Sequence, residues 1–310
     1  MEFYINFRFS RDDIPRLVKA LRIPEFFVTP NRCKLDGEEA LLMFLKRLAY
    51  PDRLRNIVRF FRRSYGYISM MVEQVRKHLH KIARRLLRRF DWRRIVPLCP
   101  VFAKAVHDKG CPLANIPLLL DGVFEGCCRP YDAVFGNRSD RQRSIYNGAK
   151  RLHGYQHQGL GSPDGIVVEM YGPFQGRIND KIMLRISRLL ARMKRFLGVA
   201  WAAFADRGYV HGDPSLQVPF QGAAGRAQPG KAYNEACSKV REPIEWMFGK
   251  IKILWAFVDF KKNQELYLQP VTSYWLIATL LTNCHSCLYG PLFDLQIGGA
   301  RGIFLTDRVT

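Results

Sequence analysis

Four carboxylates in this chain sit where acids are costly or conspicuous. Asp121 closes the apolar run IPLLLD, Asp180 ends GPFQGRIND, Asp206 ends FAD before Arg-Gly-Tyr, and Glu245 lies among Ile244, Trp246, Met247 and Phe248. An acid at the end or centre of a buried strand is expensive unless it is paired or bound to a cation. Hard divalent cations such as Mg²⁺ take oxygen ligands and keep several waters, so three or four converging carboxylates are enough to hold them. Two such cations about 4 Å apart can clamp the attacking and leaving oxygens of a phosphodiester, with no nucleophilic side chain needed. Each acid taken alone has a plainer reading. Asp121 and Asp206 suit turns, Asp180 suits a helix N-cap, and Glu245 suits a helix surface.

The rest of the composition points toward a polyanion. The 310 residues carry 49 Lys+Arg against 27 Asp+Glu, a net charge of +22. Such an excess marks a chain that meets nucleic acid or an anionic surface. Hydrophobic residues make up 48% and aromatics 13%, which excludes a disordered chain. The longest apolar stretch, Tyr274 to Leu281, is too short to span a membrane and reads as a buried helix. The N-terminus has no unbroken apolar core of a signal peptide, and the eight cysteines are scattered. Reduced thiols are therefore expected. Cys284 and Cys287 form a lone C-x-x-C without the second pair that a zinc site wants, so buried thiols are the simpler reading.

Three sections must position these acids. Residues 1–98 read as an all-helical, basic region. Leu41, Leu42, Leu45 and Leu48 follow helical spacing after Gly37, and a second helix is expected from about Ile68 to Phe90. Between Arg53 and Arg94 there are 14 Lys/Arg and two acids, and RRLLRRFDWRR places Arg84, Arg85, Arg88 and Arg89 beside Phe90 and Trp92. Phosphate contacts and base stacking use those residue types. A turn around Gly66 gives the outline of a helix-turn-helix. Residues 99–290 carry alternating strands and helices. Leu118–Leu120 lead a strand into Asp121, two strands flank a turn over Gly161–Gly165, an amphipathic helix follows Asn179 and Asp180, and a short strand ends at Asp206. Pro243 is expected to kink or restart the helix that bears Glu245. Residues 291–310 form a tail without a clear signal.

The ordered set LLLDG, YNGAKRLHGYQHQ, PDGIVVEMYGPFQGRINDKIML, FADRGY, VPF and YNEACSKVREPIEWMFGKIK resembles the DDE endonuclease domain of PIF/Harbinger-type transposases and the nucleases derived from them. Arg241, Glu245 and Lys252 also match the R-x3-E-x6-K spacing of related insertion-sequence transposases, with Ser238 where a tyrosine is usual. The resemblance implies an α/β fold with an RNase H-like mixed sheet flanked by helices. It implies a metal-dependent DNA endonuclease or transposase using Mg²⁺ or Mn²⁺. Asp121, Asp206 and Glu245 would be the catalytic acids, with Asp180 as a fourth metal ligand; either Asp180 or Asp206 can serve as the middle acid of the triad. Asp-Gly-Thr is Asp121-Gly122-Val123 here, and His-Asp is Asn179-Asp180. Lys150, Arg151, Arg177 and Lys252 would touch DNA beside the N-terminal arginines. A Myb-like DNA-binding partner, a homo-oligomer and a nuclear location, with the cytoplasm as the other setting, follow from the same resemblance. A non-cutting DNA-binding or regulatory protein that keeps the fold is the rival reading.

Overall fold

A computed structural model describes residues 1–29, 32–130, 138–209, 212–266 and 268–290. The tail that the sequence sets apart, 291–310, lies outside the described residues.

The chain opens with α1 (Glu2–Phe7) and α2 (Ile14–Ala20), then β1 (Phe26–Val28) and β2 (Lys34–Asp36), which pair antiparallel. The first section is therefore not all-helical, as the sequence suggested. Strands of three residues are too short to show a period-two pattern. Next come α3 (Gly37–Ala49), α4 (Leu54–Phe61) and α5 (Tyr65–Ala83). The Asp36 carboxylate accepts from the Glu39 N–H and Ser64 Oγ accepts from the Tyr67 N–H, so both longer helices begin on a side-chain cap. Helix α5 ends earlier than expected, at Ala83, and passes into one wide turn over Arg84–Arg88. Helix α6 (Cys99–Asp108) leads to the sheet.

Among the described residues six strands form that sheet: β3 (Leu118–Gly126), β4 (Tyr146–Asn147), β5 (Leu152–Gly161), β6 (Val167–Gln175), β7 (Ala203–Ala205) and β8 (Leu216–Gln217). Their order is β4-β5-β3-β7-β8, with β6 also on β5. Strands β3, β5 and β6 run antiparallel, whereas β7 and β8 are parallel to β3, which makes the sheet mixed. Helix α7 (Arg138–Ile145) precedes β4. The amphipathic segment after β6 is two helices, α8 (Asp180–Ser187) and α9 (Leu189–Leu197), broken at Arg188, which is left-handed at φ 51°. Then come α10 (Gly222–Arg226), α11 (Gly230–Leu254), α12 (Ala256–Asp259) and α13 (Val271–Tyr289). Pro243 lies inside α11, which runs on through it, so of the expected kink or restart the restart does not occur.

Side chains of β3 alternate between two cores, as a sheet covered on both faces requires. Leu119 and Val123 join a cluster with α3, α5, α11 and α13, in which Phe44 stacks on Tyr274. Leu118 and Leu120 join the other cluster, with Trp92, Phe102, Leu184, Met193 and Leu197 from α6, α8, α9 and the segment before α6. The result is an α/β architecture with a mixed sheet flanked by helices. Helix α13 is buried along nearly its whole length, including Cys284. No helix among the described residues is long and apolar enough to cross a membrane.

Candidate functional site

Parallel pairing sets the first two acids. Leu120 pairs with Ala205 across β3 and β7, so Asp121 follows within β3 and Asp206 follows just past the end of β7. Asp121 lies inside β3, which runs on to Gly126; it is not a hairpin-rim turn residue. Its Oδ1 accepts from the Gly122 N–H at 2.8 Å. Helix α11 supplies Glu245 from the layer above. Ile244, Met247, Phe248 and Ile251 are buried beneath it and fix the helix on the sheet. Asn234 near the start of α11 accepts from the Phe220 N–H at 2.8 Å and donates to its carbonyl at 3.0 Å, which ties the Val-Pro-Phe loop to the same helix.

Asp180 approaches from the opposite layer. The N-cap of α8 is Asn179, whose side chain accepts from the Ile182 N–H at 3.1 Å. The capping duty thus belongs to Asn179, and the Asp180 carboxylate is free to lie against Gly122 and Gly208. A Cβ on Gly122 would stand 2.8 Å from Asp180 Oδ1, and one on Gly208 would collide with Oδ2. The two glycines leave the space in which the carboxylate sits.

Like charges meet here. Burial pushes the Asp121 carboxyl up to about 6; Arg241 and the Gly122 N–H oppose that rise, while Asp206 and Glu245 add to it. Burial likewise raises Asp180, with Asp206 adding to the rise and Lys150 opposing it. The buried Tyr209 phenol is raised by burial first, with the charges of Asp180, Asp121 and Asp206 contributing. Asp121, Asp206 and Glu245 therefore form one electrostatic group with Asp121 at its centre, and Asp180 joins it through Asp206. The Asp121 side chain is 15% exposed and that of Glu245 49%, so the group opens to solvent on the α11 side.

A cationic bridge crosses this group. Arg241 Nη1 lies 3.1 Å from Asp121 Oδ2, and its Nη2 lies 2.5 Å from Glu245 Oε1. Among the described residues no group of three or more His, Cys, Asp or Glu side chains is placed to hold a metal ion. The acids are nonetheless of the donor type that a divalent cation takes. They are hard oxygens whose mutual repulsion calls for positive charge, and Gly122 and Gly208 hold open the cradle around Asp180.

The expected DNA contacts divide into two groups. Lys150, Arg151 and Arg177 are exposed. Asn147 Nδ2 donates to the Gly176 carbonyl at 2.8 Å while its Oδ1 accepts from the Lys150 N–H, which sets the 147–151 turn beside Arg177. Arg84, Arg85 and Arg89 are also exposed. Arg88 turns inward instead, donating to the Gly172 carbonyl and lying over Tyr171. Lys252 is engaged as well. Its Nζ lies 3.5 Å from Glu125 and 3.3 Å from Asp259. Glu125 escaped notice in the sequence, although it lies four residues beyond Asp121 on the same strand face. Burial pushes its carboxyl up to about 8, against the pull of Lys252 and with a push from Asp259.

A family described as DDE superfamily endonuclease matches residues 132–283. Asp180, Asp206 and Glu245 lie within that stretch and Asp121 precedes it. The match supports a transposase-derived nuclease, and with it DNA as the class of substrate. No curated protein and no solved structure matches the chain.

Proposed function

We propose that this protein is a metal-dependent DNA endonuclease of the PIF/Harbinger transposase type, with an RNase H-like catalytic sheet. The observation that carries the reading is the Arg241 bridge between Asp121 of β3 and Glu245 of α11, with Asp206 at the end of the strand paired to β3, in a chain of net charge +22. Those three acids would hold Mg²⁺ or Mn²⁺, with Asp180 as a further ligand from α8. When bound, the cations supply charge stabilisation to the attacking and leaving oxygens of a phosphodiester. The chain's own residues do the rest. Asp121 and Asp206 are fixed by the strand pairing, Glu245 faces solvent where a duplex would approach, and Lys150, Arg151 and Arg177 present positive charge on the neighbouring edge. The basic N-terminal section, with the helix pair α4–α5, would carry further DNA contacts. A nuclear location, a Myb-like partner and self-association belong to the same reading.

Nicking of supercoiled plasmid by the purified full chain with Mn²⁺ tests it. Asp121→Asn and Glu245→Gln are each expected to lower the rate by about 10²–10³, the scale on which loss of one electrostatic stabiliser acts, while DNA binding persists. Undiminished metal-dependent nicking by either variant would sink the mechanism. A wild-type chain that binds DNA and never cuts it would establish the non-cutting reading instead.

A further inference from the structure

Arg241 touches two of the proposed ligands at once. It lies one helical turn before Glu245 on α11, so both side chains leave the same face of the helix, and that face looks onto Asp121 of β3. Its two terminal nitrogens divide between the acids, at 3.1 Å from Asp121 Oδ2 and 2.5 Å from Glu245 Oε1. The fork geometry of a guanidinium makes such paired contacts directional and strong. Asp121 Oδ1 accepts from the Gly122 N–H, and Oδ2 is the oxygen that Arg241 takes. A divalent cation would ligate the same carboxylates at about 2.1 Å. Two positive charges would then press on one pair of carboxylates from the same side.

We propose that Arg241 is a built-in counter-cation that competes with the divalent cation for Asp121 and Glu245 and so sets the metal affinity of the site. The inference rests on the reading that these acids hold the cation. The guanidinium satisfies the acids until the ion displaces it. Its side chain, 23% exposed, has solvent to turn into. Lys252 does not share the task, because it is held by Glu125 and Asp259.

Mn²⁺ alone is the probe, titrated into the full chain with the free ion followed by electron paramagnetic resonance. Arg241→Gln is expected to bind Mn²⁺ roughly tenfold more tightly, a factor equal to about 1.4 kcal/mol. Its melting temperature should fall in chelator and rise more than the wild type's on adding Mn²⁺. Arg241→Lys, which keeps the charge without the fork, should fall between the two. Unchanged or weaker Mn²⁺ binding by Arg241→Gln, with binding lost in Asp121→Asn, would overturn the competition and leave the acid cluster standing. No Mn²⁺ binding by any form would overturn both. A measurement on the unsubstituted chain guards against a variant that fails to fold. With ¹⁵N-labelled arginine, the Arg241 Nε–H signal should shift and exchange faster with water as Mg²⁺ saturates the site. A signal that does not move would overturn the proposal.

Discussion

Lys252 lies 3.5 Å from Glu125 just as Arg241 lies 3.1 Å from Asp121, so two basic residues of α11 meet the two acids on one face of β3 in the same order. The helix is pinned to the strand at both ends of the site. The far pin is buried, with Glu125 1% exposed.

Burial of Glu125 makes stability depend on pH. Its carboxyl titrates at about 8 in the fold against 4.5 in an unstructured chain. The unfolded state therefore gives up this proton first. The contribution is complete below about pH 4.5 and is lost as pH rises toward 8, at up to about 1.4 kcal/mol per unit. Glu125→Gln should flatten that part of a stability–pH curve measured by urea unfolding. A variant curve parallel to the wild type's would show that Glu125 does not titrate there.

The neighbours Asn179 and Asp180 have separable tasks. Asn179→Ala removes the α8 cap and should cost about 1 kcal/mol of stability with little change in Mn²⁺-dependent nicking. Asp180→Asn should leave the melting temperature nearly unchanged and lower nicking by about 10- to 100-fold. Urea unfolding and plasmid nicking on both variants would reveal the opposite pattern if Asp180 were only a helix residue.

Gly208 tests the cradle around Asp180. Its φ is not positive, so alanine suits the backbone, and the three atoms nearest the added methyl all belong to the Asp180 side chain. Gly208→Ala should keep the fold by circular dichroism and lower nicking by as much as about a hundredfold through misplacement of one acid. Full activity would remove Asp180 from the site.

The arginines of the N-terminal section should behave in two ways. Arg88→Ala breaks the contacts with the Gly172 carbonyl and Tyr171 and should destabilise the fold by about 1–3 kcal/mol. Arg84→Ala, Arg85→Ala and Arg89→Ala should instead weaken DNA binding, each lowering the salt slope of the affinity by about one. Binding isotherms at several salt concentrations separate these outcomes; an unaltered slope in all three would take this segment off the DNA path.

Much of this arrangement was legible in the chain. The run Leu118–Leu120 before Asp121 and the strand pair around Gly161–Gly165 appear where their patterns place them, and the short strand before Asp206 ends one residue earlier, at Ala205. Long apolar periods carry such information well. The β1–β2 pair and the two-residue strands β4 and β8 have no period to read. Asp180 looked like a cap because caps and ligands draw on the same residue types, and only the Asn179 hydrogen bond to the Ile182 N–H separates them. Arg88 belongs to a run of arginines whose members are alike in sequence, and its inward turn depends on β6, more than eighty residues away. The pairing of Lys252 with Glu125 is likewise a tertiary fact. The R-x3-E-x6-K spacing fixes the helix face but not what that face meets.

Strand β3 sends Leu118 and Leu120 into one core and Leu119 and Val123 into the other, with Asp121 beside Asp206. Such a strand is far more sensitive to its length than to its composition. Replacing one leucine by isoleucine perturbs one core. Deleting one residue before Asp121 would turn the strand inside out, exchange the contents of both cores and carry the acid to the wrong side of the sheet. Insertions and deletions in this segment should therefore be purged from functional copies of the gene well before conservative substitutions are.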